Sequence, residues 1–529
     1  MDSTQDSRER EAQALRQRMA RGTATIALQR VVETLIGLIL VPVMLHYLGT
    51  VAYGYWALIY AVVVYLNLTD MGFAASFNHF FVNTLESGDS QEKRVMFSSA
   101  LSYQLVIAVV VLVIGLAAEN GLLRFFTSAQ ELGMAARWAW RAMLLILILG
   151  FIGSYARSLF YATHRVAQLG ALNIVLALLN AVAVVVVLTR QGGLIGLAAV
   201  AASIAVLRVS LVFGFGSRGV PGFSLSPDSI DLKVIGRLWR FGLRVLVTRI
   251  TEVIHVYFDR LLLGRVSGMQ VVALYDVGAK AASTAQQVPM VMWPVIEPEA
   301  ARFQAQGESA KLHLLATRTS RYAALVAFPL LTLLISSAKP LLTLWLGEQL
   351  KPGMVLATTI LAGAYLSMGV TTPLRYTARG VGKPGWDAKS SIVQAVANVI
   401  LSITLYFKFG FTGVLMGTLL ATLVGQGLFL TMVFPGLGLK AWSFFWMSWI
   451  RPGVSAILSG AASWSLLRWV FVLPESGGRG DAVVPAIASV VVFAVVYAVA
   501  IFVTHSTDRN EAKLLLNALR GRRNKNGTA

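Results

Sequence analysis

From Arg30 to Trp56 the chain reads RVVETLIGLILVPVMLHYLGTVAYGYW, an apolar run long enough to cross a bilayer with two charges near its start. Arg30 and Glu33 are three residues apart, so a helix carries both on one face, and Gly37 continues that face. A charge at the centre of a membrane helix costs about 2.5–3.5 kcal/mol on the insertion scale, so such residues usually face a protein interior or a wet cavity. The run turns at Leu48-Gly49 into a second apolar segment through Tyr53-Gly54-Tyr55-Trp56.

The same pattern of long apolar runs fills the chain. Of its 529 residues, 56% are hydrophobic and only 13% charged, against about 25% charged in a soluble domain. This is the composition of an all-α polytopic membrane protein. With no cysteine, disulfides, thiol chemistry and thiolate metal sites are excluded. The first 22 residues contain no apolar stretch of the signal-peptide kind and read as a cytosolic tail. A net charge of +20 would suggest nucleic acid in a soluble protein. Here it is explained by Lys and Arg crowding cytoplasmic loops against anionic lipid, so no nucleic-acid partner is expected.

A hydrocarbon core takes about 20 apolar residues. Fourteen segments qualify, near 23–47, 53–82, 95–118, 134–161, 166–189, 192–216, 235–263, 270–296, 318–346, 353–378, 388–408, 411–434, 446–470 and 482–504. With both termini in the cytoplasm, about 31 Lys and Arg fall at inner ends and about 11 at outer ends, which sets the expected orientation. Arg30, Arg249 and Lys280 remain within spans. The expected organisation is a tail at 1–22, a six-helix bundle at 23–216, a cytoplasmic linker at 217–232, a second six-helix bundle at 233–434, two additional helices at 435–505 and a basic tail at 506–529. The linker is marked by Gly, Pro and Ser in GFGSRGVPGFSLSPDSID, Gly214 to Asp231.

The two halves resemble each other. Arg30-x-x-Glu33 recurs as Arg249-x-x-Glu252, and Leu48-Gly49 as Leu263-Gly264, with spacings that differ by four residues. Tyr161-Ala-Thr-His-Arg165 has a counterpart in Tyr376-Thr-Ala-Arg379. Asn180 matches Asn398, and Gly193-Leu-Ile-Gly196 matches Gly413-Val-Leu-Met-Gly417. Six spans per half make these parallel repeats about an axis along the membrane normal, expected to form two parallel six-helix bundles around a central cavity.

Polar residues cluster in spans two, seven and eight. Lys233, Arg237, Arg240, Arg244, Thr248, Thr251 and His255 follow helical spacing along one face of span seven, while Arg249, Glu252 and Asp259 project from other sides. The outer cations Lys233, Arg237 and Arg240 have the positions of side chains that snorkel to headgroups. In span eight Asp276 and Lys280 have ion-pair spacing, and Ser283 and Gln287 extend their face. In span two Asn67, Asp70, Ala74 and Asn78 form a polar edge beside Gly72. Single polar residues can serve as glue between helices. As a set they fit the lining of a cavity.

Several classes are not supported. There is no GxxxxGK[ST], so no P-loop ATPase is built in, and the six His residues show neither HExxH nor i,i+4 pairing, so no metal site is expected. No cofactor is called for. A membrane glycosyltransferase or polymerase would carry an outer catalytic loop, and no loop is long enough for a folded domain. No GxSxG supports a serine hydrolase.

The order of Pro42 to Leu48-Gly49, Tyr53-Gly54-Tyr55-Trp56 and Asp70-Met71-Gly72 resembles the polysaccharide-biosynthesis flippases. These are the O-antigen and exopolysaccharide transporters of the multidrug/oligosaccharidyl-lipid/polysaccharide exporter superfamily. The resemblance implies a substrate, an undecaprenyl-diphosphate-linked oligosaccharide moved from the cytoplasmic to the periplasmic leaflet of the bacterial inner membrane by alternating access. It also implies membrane lipids, a polysaccharide polymerase and glycosyltransferases as partners, and no enzymatic activity. A diphosphate suits Arg and Lys in a poorly hydrated cavity. Arg30, Arg249, Lys280 and Arg244 are accordingly the expected diphosphate ligands. Glu33, Glu252, Asp276, Asp70 and Asp259 are their expected charge partners, able to couple transport to protons. Asn67, Thr248, Thr251, His255, Ser283 and Gln287 complete the expected lining. A drug/cation antiporter of the same superfamily would favour an acidic, aromatic cavity, which the cations argue against. A lipid II flippase is a closer alternative.

Overall fold

A computed structural model describes residues 2–70, 72–86, 89–220, 222–290, 293–471 and 478–504. Every long element among them is a helix, as the apolar runs require. In chain order these are α1 (Asp2–Leu66), α2 (Phe73–Glu86), α3 (Ser90–Phe125), α4 (Gly133–Ala162), α5 (Val166–Thr189), α6 (Gly193–Arg218), α7 (Leu232–Val266) and α8 (Met269–Met290). They continue with α9 (Ile296–Ala305), α10 (Ser309–Ser336), α11 (Ala338–Leu346), α12 (Pro352–Gly380), α13 (Pro384–Leu437), α14 (Ala441–Phe445), α15 (Arg451–Trp469) and α16 (Arg479–Val503).

Nine stretches among the described residues are long and apolar enough to cross a membrane. Two of them contain a break. Gly49 (φ 73°) divides α1 and Gly410 (φ 56°) divides α13, each in a backbone conformation that a side chain rarely adopts. The nine stretches thus supply eleven apolar legs. The other three expected spans fall on α7, α8 and α15, which are helical but are not among the nine. The reason for α7 is its charge: Lys233, Arg237, Arg240, Arg244, Arg249, Glu252, Asp259, Arg260 and Arg265 all lie on it. Apolar side chains cover the outward faces of the long helices, as in Val106, Val109 and Val113 of α3 or Val484, Ile487 and Val491 of α16. An aqueous surface would not tolerate such continuous apolar faces, and the chain is a multi-pass membrane protein.

The chain divides into two compact units, Met1–Val277 and Gly278–Ala529. In the first, α4 is central and packs against α2, α3 and α6. Trp140 is buried and donates from Nε1 to Gly115 O (2.9 Å), and the missing side chain of Gly115 leaves room for Leu144 of α4, which a Cβ there would meet at 2.4 Å. Phe73, Phe77 and Phe81 of α2 stack along one face against Phe97, Tyr103 and Tyr155. Such aromatic pairs add about 0.5–1.5 kcal/mol each beyond area burial. The chain between α6 and α7 is strapped to α3: Ser226 N donates to Ser98 Oγ (2.9 Å) and Asp231 N to Ser99 Oγ (2.8 Å). Asp231 then caps α7 by accepting from Lys233 N, and α7 packs on α1, α2 and α3.

One expectation is corrected here. Residues 53–82 do not form one continuous helix: α1 ends at Leu66, a 3-10 turn covers Asn67–Asp70, and α2 starts after Gly72 (φ 69°). Asn67 and Asp70 therefore sit at a break.

In the second unit α12 packs between α10 and α13, with Leu374, Ala378, Phe429 and Val433 buried together. The legs of α13 approach closely, since a Cβ on Gly417 would lie 2.7 Å from Ser402 N. The last long helices, α15 and α16, pack on each other and on α10 and α11. Their polar seam includes Ser337 Oγ to Ser463 Oγ (3.0 Å). Before α15, Trp442 is exposed while Trp449 packs against Phe444 and Phe445.

Candidate functional site

A set of charged and phenolic groups in the first unit joins α1, α7 and the start of α8. Gly54 lets α1 approach the start of α8, because a Cβ there would lie 1.8 Å from Met269 O. One turn of backbone contact sets the buried Tyr53 hydroxyl to donate to Asp276 Oδ2 at 2.7 Å. Arg260 Nε donates to Asp276 Oδ1 at 2.9 Å, and Arg260 Nη1 donates to Val256 O at 2.7 Å. The Arg260 guanidinium also lies 5.2 Å from the Tyr257 ring centre and 5.4 Å from that of Tyr275. The Tyr275 hydroxyl donates to the fully buried Asp259 (2.8 Å). Two adjacent residues of α7, Asp259 and Arg260, thus reach two residues of α8, and each carboxylate receives a phenol.

This corrects the expected pairing of Asp276 with Lys280: the ion-pair partner of Asp276 is Arg260. Lys280 is half-buried on α8 and carries no side-chain hydrogen bond or ion pair among the described residues. Ser283 donates to Lys280 O (3.2 Å), so its hydroxyl is turned to its own helix. Gln287 is half-buried as well.

The paired Arg-x-x-Glu segments present their charges differently from the expected intrahelical pairs. Arg30 and Glu33 are both exposed, and Glu33 accepts from Gln29 Nε2 at 3.0 Å. Arg249 and Glu252 are exposed on α7. No ion pair joins Arg to Glu in either segment among the described residues. Thr251 is buried and His255 half-buried. The side chains of Arg244, Thr248 and Asn78 lie outside the described residues, as does the basic tail from 506. Asp70 belongs to a separate cluster: Gln104 Nε2 donates to Asp70 Oδ1 (2.8 Å) and to Ser154 Oγ (3.2 Å). Asn67 is exposed at the 3-10 turn.

Arg260 lies outside the expected set, although it is buried and anchors the cluster. Its signal is Tyr257-Phe-Asp-Arg260, an Arg one turn after a Tyr and next to an acid. A second network lies wholly in the second unit. Arg375 and Arg379 converge on Asp387; Arg379 Nε is 3.0 Å from Asp387 Oδ2. Arg375 Nη2 also donates to Gln426 Oε1 (2.9 Å), which accepts from Thr371 Oγ1 too (2.6 Å). The Tyr376-to-Arg379 turn of the repeat is thus half of a satisfied ion cluster.

Among the described residues no group of His, Asp and Glu could hold a metal ion. What the arrangement offers is exposed cations on α1 and α7 and, separately, a Tyr–Asp–Arg cluster whose charges are paired.

Long apolar helices with charged groups held between them define a multi-pass helical membrane protein. The chain belongs to the polysaccharide biosynthesis protein family, which matches residues 19–303. Its fold is that of the lipid II flippase MurJ in an inward closed conformation, with a TM-score of 0.68 at 11% identity, covering 89% of this chain and 98% of that one. It is also similar to an inward-facing multidrug resistance MATE family transporter of the MOP superfamily (TM-score 0.65, 14% identity, 78% of this chain and 95% of that one). The MATE multidrug transporter DinF-BH, solved as a complex, gives 0.57 at 18% identity, covering 80% of this chain and 96% of that one. No curated protein matches the chain by sequence.

Proposed function

We propose that the chain is a flippase that moves an undecaprenyl-diphosphate-linked oligosaccharide from the cytoplasmic to the periplasmic leaflet by alternating access, for the assembly of a surface polysaccharide. Membership of the polysaccharide biosynthesis family carries this reading. The likeness to a lipid II flippase supports it, since a protein named for moving a lipid shares this fold.

In this reading Arg30, Arg249 and Lys280 bind the diphosphate, and Arg244 lies on the same helix as Arg249. Arg30 and Arg249 are exposed and without an acidic partner among the described residues, so each guanidinium is available to an anion. Arg offers two parallel donors in a plane where Lys offers a point charge. Glu33 and Glu252, one turn away, tune the affinity and give a proton a place to enter the cycle. The Tyr53–Asp276–Arg260 cluster fixes α7 against the start of α8, holding no free charge of its own.

The test is complementation of a strain lacking its oligosaccharide flippase, scored by surface glycan at equal protein level. Arg30→Gln and Arg249→Gln are expected to abolish glycan, and Arg30→Lys and Arg249→Lys to reduce it. Full restoration by all four variants would overturn the diphosphate role. Rescue of a strain lacking lipid II flipping, with no rescue of the oligosaccharide strain, would move the substrate to lipid II, for which the similar flippase is named.

A further inference from the structure

The first unit holds a cavity of about 260 Å³ among α4, α5 and α6, apart from the Tyr53–Asp276–Arg260 cluster. This is far above the ~10–15 Å³ that one water needs. Its walls are mostly apolar, and its polar lining consists of Arg157 from α4, Arg208 from α6, and Asn173 and Asn180 from α5. Among the described residues no carboxylate lines it. Arg157 is exposed and Arg208 half-buried. Neither guanidinium has an ion-pair partner among the described residues, and Arg208 Nε is buried without a hydrogen bond. Gly150 and Gly153 keep the α4 wall open; a Cβ on Gly150 would meet nothing within 4 Å.

Two like charges facing one cavity within a membrane bundle are costly unless an anion joins them. The second unit shows how the same problem is solved internally. In that unit α12 and the two halves of α13, the fourth to sixth spans of the second half of the sequence repeat, correspond to α4, α5 and α6. There Arg375 meets Asp387 and Gln426, and Gln426 Nε2 donates to Gln394 Oε1 (3.2 Å). The interface is closed and its arginine neutralised by the protein's own carboxylate. In the first unit no carboxylate among the described residues lines the cavity, and Asp70, the acid close enough to act on Arg157, lies outside the lining and accepts from Gln104.

We propose that this cavity binds a phosphate-bearing anion, with Arg157 and Arg208 as its charge partners and Asn173 and Asn180 as neutral donors. Two guanidinium forks suit a phosphate better than a single negative atom, because each can donate two parallel hydrogen bonds to its oxygens. The apolar remainder of the wall suits the chain of a lipid, so the phosphate is that of an anionic phospholipid headgroup or is free inorganic phosphate. The site does not depend on the proposed oligosaccharide substrate, and Arg30 and Arg249 take no part in it.

The test uses the full chain, delipidated in a neutral detergent and titrated separately with phosphatidylglycerol, phosphatidylcholine and inorganic phosphate. The readouts are the unfolding midpoint and bound lipid by native mass spectrometry. A ligand that binds only the folded chain raises the midpoint with concentration. Phosphatidylglycerol or inorganic phosphate is expected to do so, and the half-saturating concentration should rise tenfold or more in Arg157→Gln and in Arg208→Gln. Gly150→Leu fills the cavity without touching a charge and should weaken binding equally, which keeps the test valid if an Arg variant fails to fold. Arg190→Gln, exposed at the far end of α5, should bind as wild type does. A response to phosphatidylglycerol alone identifies a lipid headgroup, and a response to inorganic phosphate alone identifies free phosphate. The proposal is overturned if no anion shifts the wild type, if Gly150→Leu and the Arg variants respond as wild type does, or if phosphatidylcholine matches phosphatidylglycerol.

Discussion

Arg260 and Asp276 form the ion pair that ties α7 to α8, with Nε and Oδ1 2.9 Å apart and both side chains largely buried, at 11% and 15% exposure. The pair is completed by the Tyr53 hydroxyl, which supplies a neutral hydrogen bond to the second carboxylate oxygen. Helical spacing alone points from Asp276 to Lys280. The fold instead uses a residue of the preceding helix, whose planar donor can meet a carboxylate and the ring faces of Tyr257 and Tyr275 at once.

Breaking such a pair from one side leaves a buried charge and costs about 3–5 kcal/mol, more than removing both partners. Asp276→Asn and Arg260→Met should each lower the unfolding midpoint of the purified protein sharply, and the double variant should lose less than the sum. Lys280→Met combined with Asp276→Asn should be additive. Coupling of Asp276 to Lys280 and none to Arg260 would contradict the geometry.

The approach of α1 to α8 gives a second test. Gly54→Ala puts a methyl group 1.8 Å from Met269 O, a backbone atom that cannot swing aside, so the loss should exceed the ~1–3 kcal/mol typical of overpacking. Gly236→Ala on α7 meets nothing within 4 Å and should be neutral or stabilising by about 0.5–1 kcal/mol, the helix preference of Ala over Gly. Comparing folded yield and midpoint for the two separates close packing from backbone preference.

In the second unit, Asp387 serves two arginines of unequal burial. Arg375 is 13% exposed and Arg379 43%. Asp387→Asn should destabilise by about 3–5 kcal/mol, because Arg375 is left without its anion. Arg379→Gln should cost only about 0.2–1 kcal/mol, the range for a solvated pair. Equal losses, measured by thermal unfolding, would show that the cluster does not distinguish its two cations as the burial does.

Much of the fold is legible in the sequence because a bilayer imposes it. A run of about 20 apolar residues has one solution, the helix, and Leu48-Gly49 marks a real break at Gly49. The polar sites are less legible, for physical reasons. Spacing puts Asn67 and Asp70 on a helix face, but a 3-10 turn rotates them off it. Arg260 sits near the end of its span and counts there with the outer charges, although aromatic rings and Asp276 bury it. Arg157 and Arg208 come from helices far apart in sequence, and no local spacing reveals that they line one cavity. The Arg30 and Arg249 segments stand out because their motif repeats, yet their exposed, separate charges depend on side-chain packing that spacing does not encode.

The expected orientation rests on the charge of the loops and sets the proposed direction of flipping. A reporter fused at Gln191, in the turn between α5 and α6, should read as periplasmic, and one at Ser226, in the strap between α6 and α7, as cytoplasmic. The reverse pattern would invert the proposed direction of transport.

The central claim, transport of a diphosphate-linked oligosaccharide, is tested most directly in proteoliposomes. The purified chain is reconstituted with a prenyl-diphosphate oligosaccharide, and the fraction reaching the opposite leaflet is followed with a membrane-impermeant probe of the sugar. The account predicts transfer well above that in protein-free vesicles, with loss in Arg30→Gln and Arg249→Gln at equal reconstitution. Transfer no faster than in protein-free vesicles, or equal transfer by wild type and both variants, would contradict it.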